Sequence, residues 1–448
     1  MNENILMAAD DHFAHPCRII GVLDDGSASL TPRALAHIAE ANLVIGGTRT
    51  LQLFKNHFAA HAEQRDLTGQ MTQVPEWIRA ALAEERRVVV LATGDPLCHG
   101  IAPFLQSRLC IEACEVLPNV STIQLACARL GIPWQEMKIC SVHSRDAGEW
   151  QPGAAGREHG LYSVLHAVQH HDRLAILTSP ENTPDRIARM LLAEGMGDDF
   201  RMAVAEQLLQ ADERIVTDCA IADAALMRFA EPNVVVLWRA TAAKNDVLFG
   251  LADERFRQRY PDKGLITKRE VRAVSLARMQ LHSNSIVWDI GAGSGAVGLE
   301  AARLCADGYV YAIEKNSDDF AIASDNCRNL GIHNYSLTHG KAPQGMEQWP
   351  APDAVFIGGS GGELNELIRL ILSRLKPNGW LVMNFVTFEN VAIAIATLKS
   401  LDAEWDITQL QASRSRPILD MHRLAAENPV WILCATRGDS TAKGQDNG

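Results

Sequence analysis

The 448-residue sequence contains little that would suit it to a membrane or to nucleic acid. No apolar run approaches the ~18–20 residues that a spanning helix needs, so no membrane association is expected. The first fifteen residues lack a basic stretch and carry acids throughout, which reads as a loose tail and not as a secretory leader. Positive charge is in deficit: 42 Lys and Arg stand against 54 Asp and Glu, a net charge of −12. A bulk negative field opposes phosphate binding, so no nucleic-acid partner is expected. The ten cysteines show no paired spacing. The closest two, Cys110 and Cys114, have no mirror pair, which argues against a disulfide framework and against zinc. They read as packing residues in a helix or loop. Reduced thiols and a cytoplasmic setting are the expectation. His57 with His61, and His166 with His170, have metal-ligand spacing but no Glu beside the first His, so no metal site is expected.

What is present is an alternation of strands and helices. Hydrophobic residues make up 47% and charged residues 21%, the balance of a folded protein. A single core rarely grows past ~250–300 residues, so two domains are expected. The first spans residues 16–240. Its strands are short apolar runs at Arg18–Val22, Asn42–Ile45, Arg87–Ala92, Arg173–Leu177 and Asn233–Trp238, with amphipathic helices such as Pro32–Glu40 and Val74–Glu84 between them. A charged stretch, 241–263, reads as a linker with a helical lead-in. The second domain spans 264–437, with strands at Ser285–Ile290, Gly308–Ile313, Asp353–Ile357, Gly379–Asn384 and Val430–Cys434. The fold class is α/β in both. Trp288, Trp380 and Trp431 lie in strands and read as core.

The strongest motif is Asp289-Ile-Gly291-Ala292-Gly293-Ser294-Gly295-Ala-Val-Gly298, placed between a strand and a helix. Glycines there let a ligand lie against the backbone, and the helix start presents free N–H groups. The next strand ends in Glu314, placed to hold a pair of ribose hydroxyls. Gly293 to Gly298 also satisfies the dinucleotide pattern G-x-G-x-x-G. Asp289 separates the two readings: a carboxylate at the strand tip repels a pyrophosphate but suits S-adenosylmethionine (SAM), which carries an ammonium and a sulfonium.

Later segments make this block distinctive: Gly264-Leu-Ile-Thr267-Lys-Arg-Glu-Val-Arg272, His339-Gly340-Lys-Ala342-Pro343, and Phe356-Ile-Gly-Gly-Ser-Gly-Gly362. With the glycine loop they resemble the decarboxylating corrin-precursor methyltransferase family. That resemblance implies a Rossmann-like class I SAM methyltransferase domain. It would methylate carbon 15 and remove carbon dioxide from the acetate on carbon 12. Thr267, Gly291 to Gly295, Glu314, Gly340 and Ala342 would contact SAM.

In the first block, Thr93-Gly94-Asp95-Pro96 follows a strand. Alone it is an ordinary turn. Together with the run Pro118-Asn-Val-Ser121-Thr122 through Pro133, Glu206-Gln-Leu-Leu and Pro232-Asn-Val-Val, it resembles the tetrapyrrole methylase family. The resemblance implies a fold of two α/β lobes that methylates carbon 5 of the same precursor. Gly94, Asp95, Ser121 and Thr122 would line its SAM cleft. The family's usual Gly-x-Gly-Pro-Gly loop is replaced by Gly21-Val-Leu23-Asp24-Asp25-Gly26, an acidic version.

The two resemblances together imply an enzyme of vitamin B12 formation with two SAM sites per chain and a tetrapyrrole corrin precursor as substrate. A homo-oligomer is expected. The precursor carries many carboxylates, so cations should fringe its clefts; Lys268, Arg269, Arg272, Arg414 and Arg416 are candidates. No catalytic base is assigned. The alternative function is a SAM methyltransferase for RNA or protein, with the first domain as a specificity module.

Overall fold

The computed structural model describes residues 14–143, 147–152, 156–241, 247–259, 266–359 and 362–437. Residues 1–13 of the expected N-terminal tail lie outside these residues. The chain forms two compact units, Met1–Ala243 and Lys244–Gly448.

The first unit holds two five-stranded sheets. Strands β1 (Cys17–Val22), β2 (Leu43–Gly46), β3 (Glu63–Asp66), β4 (Val88–Thr93) and β5 (Cys114–Leu117) form one, in the order β3-β2-β4-β1-β5. All its pairings are parallel. A parallel sheet is covered on both faces, so its central strands need apolar side chains without alternation. β2 supplies them, with Leu43, Val44 and Ile45 all buried. Helix Pro32–Ala39 starts where Thr31 accepts the Ala34 N–H at 3.2 Å and Pro32 takes the first position.

The second sheet comprises β6 (Lys138–Ser141), β7 (Arg173–Leu177), β8 (Phe200–Glu206), β9 (Arg214–Ala220) and β10 (Asn233–Arg239). Its order is β6-β7-β10-β8-β9. Only β6 and β7 pair in parallel. Cys114 lies in strand β5, not in a helix or loop, and Cys110 follows the helix Ile101–Leu109. All ten cysteines are free thiols.

The second unit is a seven-stranded doubly wound sheet. Its strands are β11 (Ile286–Ile290), β12 (Tyr309–Glu314), β13 (Tyr335–His339), β14 (Ala354–Ile357), β15 (Trp380–Phe385), β16 (Glu404–Leu410) and, last in the chain, β19 (Val430–Thr436). The order is β13-β12-β11-β14-β15-β19-β16, with β19 antiparallel to both neighbours. Strands β17 (Ser413–Ile418) and β18 (Met421–Ala426) form a separate hairpin with Leu419, Met421 and Leu424 exposed. All five strands from β13 to β15 are parallel, and the order in which they are added reverses between β11 and β14. Their carboxyl ends therefore open a crevice, the place where such sheets bind ligands.

Trp288 of β11 is fully buried, packed edge-on to Trp349 at 5.6 Å, with its indole N–H donating to Pro350 O at 3.1 Å. Trp380 and Trp431 are only half-buried, and Trp431 packs at a tilt against exposed Phe388, ring centres 4.9 Å apart. Among the described residues no helix is long and apolar enough to cross a membrane.

Two expectations fail here. The segment 247–259, read as linker with a helical lead-in, forms only a short 3-10 turn at Asp253–Arg255, and Leu251 and Phe256 join the second unit's core. Arg272, expected at a cleft edge, is fully buried instead. Its guanidinium meets Asp253 at 3.1 Å and Glu300 at 3.2 Å, donates to Thr267 O at 2.7 Å, and lies 4.8 Å above the Phe256 ring. Glu300 in turn accepts the Gly250 and Leu251 N–H groups at 3.0 and 2.7 Å. The network fastens the lead-in to the helices Arg269–Arg278 and Ala296–Leu304. Removing one member leaves a buried charge without its partner. Arg272→Ala is thus expected to destabilise the second unit by about 3–5 kcal/mol. Urea unfolding followed by tryptophan fluorescence measures this.

Candidate functional site

Each unit contains a cavity at the carboxyl edge of a parallel sheet. In the first unit the cavity is about 490 Å³ and lies between the two sheets. On one side it is lined by Leu23 and Asp24 after β1, Thr93 to Asp95 at the end of β4, and Ser121 with Thr122. On the other it is lined by Thr178 to Pro180 after β7, Leu208 after β8, and Pro232 to Val234 at the start of β10. Gly94, Asp95, Ser121 and Thr122 are thus brought together.

Gly94 has φ +71°, and a Cβ there would lie 3.3 Å from the Thr122 backbone nitrogen. Asp95 accepts the Leu97 N–H at 2.9 Å and shapes the turn. Ser121 caps the helix Thr122–Leu130: its hydroxyl accepts the Gln124 N–H at 3.1 Å, and Gln124 Oε1 accepts the Ser121 N–H at 2.9 Å. Its hydroxyl is therefore already committed to the backbone.

The acidic loop has a definite arrangement. Asp24 lines the cavity, pairs with Arg49 at 2.7 Å and accepts from Gln210 Nε2 at 2.9 Å. Gln210 follows β8, so this bond joins the two lobes. Asp25 accepts the Ser29 hydroxyl at 2.8 Å. Two imidazoles, His99 and His143, also face this cavity. His143 shares a 3.0 Å hydrogen bond with the Ser141 hydroxyl, and burial pushes its pKa down. Sequence reasoning missed both: β6, which carries His143 just beyond its end, is too short to read, and His99 sits in the loop between β4 and the helix Ile101–Leu109 with no pattern of its own.

The second unit's cavity is about 320 Å³. It is lined by Thr267, Gly291, Ala292, Gly293, Ser294, Glu314, Gly340 and Ala342, all anticipated. Gly291 has φ +70°, and a Cβ there would sit 2.6 Å from Gly359 O. The loops after β11 and β14 therefore touch backbone to backbone. Ser360 and Gly361 lie outside the described residues. Glu314 is buried at the end of β12. One carboxylate oxygen accepts the Gly293 N–H and the other the Asn316 N–H, both at 2.8 Å. That fixes the carboxylate at the cavity wall with lone pairs to spare for hydroxyl donors.

Two anticipated residues stand elsewhere. Gly295 is the cap of the helix Ala296–Leu304, with φ +78°, and does not line the cavity. Asp289 does not reach the strand tip, which is Ile290. Its side chain lies beneath that helix and accepts the Gly298 N–H at 3.1 Å. A Cβ on Gly298 would meet the same carboxylate at 2.4 Å, so this glycine serves packing and not a ligand. Burial pushes the Asp289 pKa up to about 7, with the Glu314 charge adding to the rise.

Sequence reasoning missed Arg259, Lys315, Asn316, Asp319 and Lys341 on the cavity wall. Arg259 pairs with Asp319. Asn316 caps the helix Ser317–Asn329 by accepting the Asp318 and Asp319 N–H groups. The Asn-Ser-Asp-Asp run is a readable cap, and could have located this wall. The wall offers Glu314 as an acceptor for a ligand's hydroxyl groups.

Comparison with known proteins matches a family model to each unit. Residues 17–225 match the model of the tetrapyrrole (corrin/porphyrin) methylases, and residues 258–437 match the precorrin methyltransferase domain. A Sinorhizobium precorrin-6Y C(5,15)-methyltransferase [decarboxylating] is 31% identical over 420 residues, 94% of this chain and 96% of the relative. A Salmonella typhimurium cobalt-precorrin-6B C(15)-methyltransferase (decarboxylating) is 36% identical over 39% of this chain and 91% of its own length. The crystal structure of a precorrin-6Y C5,15-methyltransferase from Geobacter metallireducens matches 43% of this chain and all of its own, at 34% identity and a TM-score of 0.41. With a relative of that identity aligned along almost the whole of both proteins, the chain belongs to the decarboxylating precorrin-6Y C(5,15)-methyltransferase family.

Proposed function

We propose that the chain methylates a corrin precursor at carbons 5 and 15 and removes carbon dioxide from its carbon-12 acetate, with one SAM site in each unit. The first unit, 16–240, would serve carbon 5, and the second, 264–437, carbon 15 and the decarboxylation. The observation that carries this reading is the presence of two separate cavities, each holding its own family's motif residues.

SAM, when bound, supplies a methyl group activated by a sulfonium. The chain's own residues position it. In the second cavity Glu314 would hold the ribose hydroxyls, and Gly291 to Ser294 would let the donor lie on the backbone. In the first, Gly94 would do the same, with Asp95 and Thr122 beside it. Holding donor and ring carbon at near-attack distance accounts for much of the rate in such a transfer. The conjugated macrocycle itself accepts the electrons released when carbon dioxide departs.

Asp24, bonded to Arg49 and Gln210, would keep the first cavity closed around its donor. Asp24→Asn loses a charge-assisted bond of about 1.5 kcal/mol, so SAM affinity there is expected to fall about tenfold. Calorimetry would show one weakened and one unaltered site. Self-association is also proposed; the exposed Leu419, Met421 and Leu424 on the hairpin support it. The ten free thiols support a reducing, cytoplasmic setting.

Mass spectrometry of a purified precursor incubated with the chain and SAM tests the function. A gain of two methyl groups with loss of one carbon dioxide is expected. An unchanged precursor would refute the reading.

A further inference from the structure

Beside the donor cavity of the second unit lies a polar pocket of about 540 Å³ that the reading above leaves unused. It is walled by the start of the helix Arg269–Arg278 and by β17. Thr267 lines the donor cavity and the next residue, Lys268, lines this pocket, so the two spaces adjoin.

The pocket's charges are unevenly committed. Arg414 is engaged on both sides, by Asp253 at 2.7 Å and by Glu270. Asp253 is further paired with the buried Arg272. The wall acids Asp253 and Glu270 are thus both committed to arginines. The side chains of Lys268 and Arg269 make no hydrogen bond or ion pair with any described residue, although the Arg269 charge helps to lower the Glu270 pKa, and Arg416 faces Glu427 at 3.9 Å. Glu254 is the one acidic wall residue outside the Arg414 network. The uncommitted charge on this wall is therefore positive, and it comes from two different elements. An enzyme with an overall charge of −12 repels an acidic substrate at long range. It then needs local cations to seat one.

We propose that Lys268, Arg269 and Arg416 form a carboxylate-binding subsite that seats acidic side chains of the macrocycle beside the second donor cavity. This rests on the function proposed above. The subsite sets substrate affinity and orientation and takes no part in methyl transfer.

The test is steady-state kinetics of carbon-15 methylation and carbon dioxide release by the full chain. In Lys268→Gln/Arg269→Gln the KM for the precursor is expected to rise about tenfold, as two solvent-exposed ion pairs, each worth a few-fold, are lost. Turnover at saturation and SAM affinity stay at wild-type values. Arg416→Gln acts in the same direction. The wild-type KM rises with sodium chloride, and the double variant's rises less, because the screened contacts are gone. Lys268→Gln/Arg269→Lys recovers part of the affinity, which a purely structural role for Arg269 would not explain. If wild type turns over and the double variant keeps both its KM and its salt response, the subsite is refuted and the function stands. If wild type transfers no methyl group, the function fails and the subsite falls with it.

Discussion

Replacing Gly291 by valine is expected to abolish carbon-15 methylation and decarboxylation while leaving carbon-5 methylation near its wild-type rate. The residue has φ +70°, a conformation that costs a β-branched side chain about 1–3 kcal/mol. The added Cβ would also stand 2.6 Å from Gly359 O, well inside contact distance. Relief requires the loops after β11 and β14 to part, and these loops form the donor cavity. A misplacement of ~1 Å can cost a transfer reaction about a hundredfold. Mass spectrometry of the product would then show one added methyl and the acetate intact. Loss of both methylations would mean that the two sites do not act independently.

The second large effect concerns Asp289, a buried carboxylate with only one hydrogen-bond donor, the Gly298 N–H; its Oδ1 has no partner. In the unfolded chain it ionises near 3.8, and in the folded protein near 7. The folded state therefore holds the proton more tightly. Its contribution to stability is fully present below pH 3.8, is lost as pH rises through 7, and stays lost above that. The gap corresponds to roughly 4 kcal/mol at most. Asparagine keeps an acceptor for Gly298 and cannot ionise. Asp289→Asn is therefore expected to stabilise the second unit at pH 8 by a few kcal/mol, and much less at pH 5. Urea unfolding at both values measures the difference. A variant less stable than wild type at pH 8 would show that the ionised carboxylate is favoured by its surroundings.

The legible parts of the fold were those with strong local constraints. The central strands could be read because a parallel sheet demands unbroken apolar runs, as in Val88 to Leu91. The glycine loop could be read because a backbone-to-backbone contact such as Gly291 on Gly359 admits no side chain. Edge strands were missed for the opposite reason. β3 is Glu-Gln-Arg-Asp and half-exposed, with no pattern to mark it. β17 and β18 are polar and mostly exposed.

At the sites, errors came from side-chain direction, which spacing does not reveal. Asp289 follows the motif but points under the neighbouring helix and away from the cavity. Arg272 belongs to the Thr-Lys-Arg-Glu-Val-Arg run, yet its place on the buried face of the helix Arg269–Arg278 commits it to Asp253 and Glu300. Residues such as Arg49 and Gln210 could not be found at all. They enter the first cavity's structure only because folding brings Asp24 against segments 25 and 186 positions away.

Titration of the intact chain with SAM, followed by calorimetry, puts the central claim most directly at risk. Two molecules bound per chain, with one binding event lost in Gly291→Val, is the predicted result. Saturation of wild type at a single molecule would contradict it.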